Sequence, residues 1–227
     1  MEKIINDFYK SVIYDKRYMY ILEGLKNTIL IAIGAIILGM AIGLLVAFIR
    51  DKYDKTGKGK IANYIANLYV TVIRGTPALV QLMIIYYVIF KSVNIDLVLV
   101  GILSFGINSG AYVSEIMRAG INSVDIGQME AGFSLGLNYN QTMKYVILPQ
   151  AIKNILPALG NEFITLIKET SVAGYIGITE LTKASDIIAS GTYNYFFPLI
   201  ITALIYLSIT GILTKLLKIF ERKINNA

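Results

Sequence analysis

Long apolar stretches dominate the chain, and the polar residues within them recur at helical rather than alternating spacing. The clearest stretch, residues 27–49, is long enough to cross a bilayer as a helix. Within it Ala35, Gly39, Gly43 and Ala47 place a small residue at every fourth position, a stripe that permits close approach of another helix in the same subunit or in a second copy. A second stretch, 62–90, is interrupted by Arg74-Gly75-Thr76-Pro77. Pro77 has no N–H for the carbonyl of Ile73, so a backbone acceptor is freed at about the depth of the Arg74 side chain. A third, 96–117, carries Asn108 near its middle and Glu115 near its end, with Gly106, Gly110 and Ser114 on one small-residue stripe. The stretch 197–217 is conventional.

Residues 150–178 follow another pattern. Asn161, Glu162, Thr165, Lys168 and Glu169 fall within an arc of roughly 120°, while Phe163, Ile164, Leu166 and Ile167 occupy the rest of the circumference. Such a helix is too apolar for water and too polar for lipid, so its charged face must look into protein or a water-filled cavity. We read it as the fourth of five spans, with Pro157 expected to break its early part and free the carbonyl of Lys153. In residues 1–26, Ile4, Ile5, Phe8, Tyr9, Val12 and Ile13 recur at helical spacing. This suits an amphipathic helix on the membrane surface, or one packed on neighbouring helices. Glu2, Asp7, Asp15 and Glu23 interrupt any apolar run there and argue against a secretory signal.

Composition agrees with an all-α integral membrane protein of five transmembrane helices: 56% of the 227 residues are hydrophobic and mean hydropathy is +0.62. The absence of His and Cys excludes imidazole and thiolate ligation and catalysis, and no cofactor on this chain is expected. The charge of +6 serves orientation. Twelve basic residues (Arg50, Lys52, Lys55, Lys58, Lys60, Arg118, Lys144, Lys153, Lys215, Lys218, Arg222, Lys223) lie on one side of the five-span arrangement. Seven lie on the other, which places the N-terminus outside and the C-terminus in the cytoplasm. No nucleic-acid partner is expected.

The segment 118–149 between the third and fourth spans carries Glu130-Ala131-Gly132, then Gly136, then Val146-Ile147-Leu148-Pro149. This run resembles the "EAA" signature of inner-membrane permease subunits of ABC importers, with Gly132 in place of the second Ala and Val146 in place of the usual Ile. Gly24-Leu25 with Thr28, Arg74-Gly75-Thr76-Pro77 with Gln81, Glu115 with Arg118, Gly127-Gln128, Pro149-Gln150-Ala151, Leu156-Pro157 and Lys168-Glu169-Thr170-Ser171 are similar to the polar amino-acid branch of that family. The resemblance implies a type I importer permease fold in the cytoplasmic membrane of a prokaryote. Glu130, Ala131, Gly132 and Gly136 would form a coupling helix seated on a dimer of ATPase subunits. The other partners it implies are a second copy or a paralogous permease, membrane lipid and an extracytoplasmic amino-acid-binding protein. Glu130 suits the start of such a helix and Gly136 its left-handed end. The chain has no phosphate-binding loop of its own, since Gly57-Lys58-Gly59 lacks the glycine-rich approach and the following Ser or Thr. ATP and Mg therefore belong to the partner.

Depth suggests a substrate site. Arg74 and Glu162 each lie about twelve residues, or ~18 Å, beyond the cytoplasmic start of their spans, and Asn108 is equally far from the outer end of its own. We expect Arg74 to meet a substrate α-carboxylate, and Asn161 and Glu162 to meet a cationic or amide side chain; alternatively Arg74 and Glu162 neutralise one another. Glu115 and Arg118, one turn apart, suit a local ion pair, and Lys168 and Glu169 an outer gate or interhelical pair. An acidic pocket suits arginine, lysine or histidine, with glutamine the nearest competitor. Two other classes fit less of the chain: an ion-coupled carrier using Glu115, Glu162 and Glu169 as a relay, and an intramembrane enzyme, for which no nucleophile constellation is present.

Overall fold

The computed structural model describes residues 2–225, and among them every regular element is helical. Helix α1 (Glu2–Phe8) passes through a wide turn, Tyr9–Ile13, into a 3-10 turn, Tyr14–Lys16. There Asp15 and Lys16 take φ values of +54° and +53°, which no right-handed helix continues through. The amphipathic segment expected over 1–26 is thus cut at 15–16, and helix α2 (Tyr18–Thr56) begins well before residue 27.

Helix α2 also runs beyond residue 49, so the expected 50–60 turn shrinks to Gly57, Lys58 and Gly59, with both glycines at positive φ. The second span divides into α3 (Lys60–Arg74) and α4 (Ala78–Ile84), which ends in a wide turn, Ile85–Ile89. The two parts are bent by 110°. Then come α5 (Leu97–Asn122), α6 (Ile126–Ser134), α7 (Tyr139–Thr142), α8 (Leu148–Glu169) with a 3-10 extension Thr170–Ile176, α9 (Leu181–Thr192) and α10 (Phe196–Asn225). Pro157 lies inside α8 without breaking it.

Helices α2 and α5 form the central pair. A Cβ at Gly39 would stand 2.9 Å from the Cβ of Ser109, and one at Gly106 would stand 2.9 Å from the Cβ of Leu38. The small-residue stripes of the two helices therefore face each other, and the α2 stripe serves packing within the subunit. Ile31, Ala35, Leu82, Val100, Phe105 and Leu166 form a core over one half of this pair. Val46, Ala66, Val70 and Ala111 form one over the other half.

At one end of the bundle the turn before α9 is pinned to α2. Asn27 Nδ2 donates to the Thr179 carbonyl at 2.8 Å, and Gly24 lies against the backbone of Glu180 and Leu181. At the other end Arg118 reaches Asp54 at 2.8 Å, and Asp51, Asp54 and Lys55 share a cavity of about 440 Å³ with Asp125 and Tyr139. Between these ends lie α2, the bent pair α3 and α4, α5, α8 and α10. Helices α2, α5 and α10 are long and apolar enough to cross a membrane on their own, and the bent α3–α4 pair qualifies as a unit. Helix α8 falls short because of the polar stripe described above. Of the N-terminal apolar residues, Ile4, Ile5, Phe8, Tyr9 and Ile13 are exposed, and Phe8 also packs edge-on against Phe197 of α10 with ring centroids 5.7 Å apart.

Candidate functional site

The bend at Gly75 to Pro77 is closed by one side chain. Gln81, one turn beyond Pro77 and buried, donates through Nε2 to the Ile73 carbonyl at 2.8 Å, the Thr76 carbonyl at 3.0 Å and Thr76 Oγ1 at 2.8 Å. The acceptor freed by proline is thereby satisfied inside the protein, as backbone at membrane depth requires. Asn108 of α5 in turn donates to Gln81 Oε1 at 2.9 Å. Asn108 is 4% exposed, so it braces the bend and does not line an open path.

Arg74 does not meet Glu162. Its guanidinium lies 3.5 Å from Glu115 Oε2 and 5.4 Å from the centre of the Tyr112 ring. Glu115 also accepts a close contact from Arg50 of α2, so one carboxylate on α5 receives two guanidiniums from two other helices. Arg118 pairs with Asp54 and not with Glu115, because the α2 extension past residue 49 brings Asp54 beside it. The Arg74 level is consequently displaced from the expected one. Glu162 accepts from Ser109 Oγ at 2.7 Å, and Ser109 lies six residues, or ~9 Å, above Glu115 along α5.

On α8, Glu162 and Thr165 are half-buried, Asn161 and Lys168 are exposed, and Glu169 stands two turns from Glu162 on the same face. Among the described residues none of Glu162, Lys168 and Glu169 forms an ion pair within the chain. Lys168 instead borders a cavity of about 510 Å³ with Ser171, Thr182 and Tyr206. A neighbouring cavity of about 550 Å³ includes Lys183 and Asp186, paired at 2.8 Å; the Lys183 hydrogen bond holds the Asp186 carboxyl below its usual range.

The 118–149 segment folds into two short helices. Asp125, not Glu130, caps α6, accepting from the Gly127 N–H at 2.7 Å; Glu130 lies mid-helix and exposed. Gly136 has φ +81° and ends the helix: its own N–H reaches the Phe133 carbonyl at 2.9 Å, and the Leu137 N–H reaches that of Gly132 at 3.1 Å. Ala131 is exposed, whereas Gly132 is buried against Thr142 of α7. The small residue at 132 therefore serves the packing of this knob upon itself, and Ile126, Glu130, Ala131, Phe133 and Leu135 form its open face.

Sequence reasoning passed over Arg50, Tyr112, Ser109 and Asp125, and noted Gln81 without a role. An amide one turn beyond a proline in an apolar run is the signal for Gln81. Nothing local marks the partners of Glu115.

The model for the binding-protein-dependent transport system inner membrane component matches residues 36–226. A putative glutamine transport system permease protein of Rickettsia typhi is 41% identical over 225 residues, covering 98% of each chain. The arginine transport system permease protein of Bacillus subtilis is 41% identical over 209 residues, covering 91% of this chain and 93% of its own. Among solved structures, a crystal structure of an amino acid ABC transporter with histidines superposes at a TM-score of 0.85 with 45% identity, over 92% of this chain and 95% of the other. An inward-facing methionine ABC transporter shares the fold at a TM-score of 0.77 with 18% identity, over 93% and 99%. The helical architecture, with its exposed knob between α5 and α8, is thus that of a type I importer permease, and the chain belongs to the family of binding-protein-dependent transport system inner membrane components.

Proposed function

We propose that this chain is the permease subunit of an ATP-driven importer of amino acids, with a basic amino acid as the substrate and hydrolysis carried out by a separate subunit. The observation that carries the substrate reading is on the polar face of α8: Glu162 meets only a neutral partner, Ser109, while Glu169 and the one cation, Lys168, stand about two turns further along that face. A carboxylate at this depth is costly until a cation arrives, and an arginine or lysine side chain supplies one. Arg74, 43% exposed at its side chain, is the complementary group for the α-carboxylate, and Asn161 beside Glu162 is free to take a polar contact.

The chain would work as one of two permeases around a central path, identical or paralogous, seated on a dimer of ATPase subunits and fed by an extracytoplasmic binding protein. The open face of α6 is the docking surface for the ATPase. ATP-driven closure of the motor would move that knob and switch the spans between inward- and outward-facing arrangements. With five spans the termini lie on opposite sides, and the excess of Lys and Arg at the end bearing residues 50–60 and α6 favours the cytoplasm for that end and the outside for the N-terminus.

A second reading, glutamine, is favoured by the names of relatives such as the Rickettsia typhi protein. Competition of arginine and glutamine for the assembled transporter separates the two. Arginine is expected to bind more tightly, and Glu162→Gln to weaken arginine at least tenfold while changing glutamine little. Tighter glutamine binding that is unaffected by Glu162→Gln would select the glutamine reading.

A further inference from the structure

We propose that Glu115 is the resting partner of Arg74, and that the carboxylate of an arriving amino acid takes the Arg74 guanidinium away from it while Arg50 keeps Glu115 neutralised. The inference rests on the reading of Arg74 as the carboxylate ligand and adds a positioning residue that sets how available this ligand is.

The two guanidiniums on Glu115 are not equivalent. Arg50 is the deeper, with 13% of its side chain exposed, and it makes the closer contact. Arg74 is 43% exposed and its Nη1 stands 3.5 Å from Oε2, beyond the ~2.7–2.9 Å of a well-formed charge-assisted hydrogen bond. The loosely held member of the triad is therefore also the more exposed one. If Arg74 leaves, Glu115 keeps a buried counter-charge, so no isolated carboxylate is created by the exchange.

The backbone beneath Arg74 is tied down, while its side chain is 43% exposed and held by one long contact. Arg74 is the last residue of α3, and the bend that follows is tied by Gln81 to the Ile73 and Thr76 carbonyls and by Asn108 to α5. Movement of the charge is thus a rotamer change and needs no refolding of the bend. Tyr112 supplies the track. It lies three residues from Glu115 on the side toward Ser109, and its ring already sits under the guanidinium at 5.4 Å. A swing across that ring would carry the charge toward the level at which Glu162 contacts Ser109.

Because only the fraction of molecules with Arg74 released is competent for the carboxylate, the apparent affinity is the intrinsic one multiplied by that fraction. The test is equilibrium binding of arginine, and of argininamide, which lacks the carboxylate, to the permease assembled with its ATPase. Glu115→Gln is expected to tighten arginine binding at least threefold and leave argininamide unchanged. Arg50→Gln gives Glu115 wholly to Arg74 and is expected to weaken arginine binding. In an Arg74→Ala background neither substitution should have any effect on arginine. A merely structural role for Glu115 predicts weakened binding of both ligands in Glu115→Gln, which overturns the proposal, as does unchanged arginine affinity in both single variants. Should Glu115→Gln not assemble, the sign of the Arg50→Gln effect decides. If Arg74→Ala alone leaves arginine affinity intact, the underlying ligand assignment falls, an outcome distinct from loss of the Glu115 effect with Arg74 still required.

Discussion

Asn108 Nδ2 donates to Gln81 Oε1 at 2.9 Å, and Gln81 passes the constraint on to the carbonyls of Ile73 and Thr76. Two amide side chains from different helices thus fix a 110° bend at the point where Arg74 leaves α3. Replacing Gln81 by Leu keeps the volume but leaves the Ile73 carbonyl and the Asn108 amide without their partners. The expected cost is about 1–3 kcal/mol, seen as a lower thermal midpoint of the assembled complex and weakened substrate binding. Gln81→Glu, which keeps acceptors but loses the donor, should be no better than Leu.

The two small residues of the exposed knob should fail in different ways. Gly132→Ala puts a methyl into the Thr142 side chain and disorders α6 against α7, at an overpacking cost of about 1–3 kcal/mol. Thr142→Ala in the same chain should restore it. Ala131 is exposed, so in Ala131→Trp the permease should remain folded while copurification of the ATPase subunit is lost. Retention of the ATPase in Ala131→Trp would remove α6 as the docking surface.

Gly24→Ala tests the other end. Its Cβ would stand 2.9 Å from the Glu180 carbonyl carbon and 3.0 Å from the Leu181 N, both backbone atoms that have no rotamer to yield. The turn before α9 should separate from α2, weakening the Asn27 contact to Thr179, with a fall of a few degrees in thermal midpoint.

Orientation is open to direct measurement because no native cysteine competes. Ser190→Cys in α9 and Ser134→Cys in α6, both exposed, should be labelled by an impermeant reagent from opposite faces of the membrane, Ser190→Cys from outside. Labelling of both from one face contradicts the proposed topology.

Much of this arrangement is legible in sequence because it depends on local periodicity. The polar stripe of α8, the presence of a small-residue stripe on each of α2 and α5, and the interruption at Pro77 all follow from spacing and from the chemistry of single residues. What escaped depends on side chains reaching between helices. Depth counted at ~1.5 Å per residue assumes a helix along the membrane normal, and α3 and α4, bent by 110° from each other, cannot both run that way. With the charge drawn to Glu115, Arg74 sits one level away from Glu162, although both positions are about twelve residues into their spans. Glu115 and Arg118 suited a pair on one helix, but Arg50 and Asp54 lie closer because α2 continues past residue 49. Gly132 carries the same residue type for internal packing as for a docking contact, and sequence spacing does not distinguish the two.

On the proposed function, the charged face of α8 borders a route for solute while the exposed knob ahead of it is gripped by a separate motor. The most direct test is ATP-driven uptake of labelled arginine into vesicles containing the permease, its ATPase and its binding protein, comparing native chain with Glu162→Gln. The account predicts at least a tenfold loss of uptake with the ATPase still attached and hydrolysing. Undiminished uptake in Glu162→Gln would contradict it.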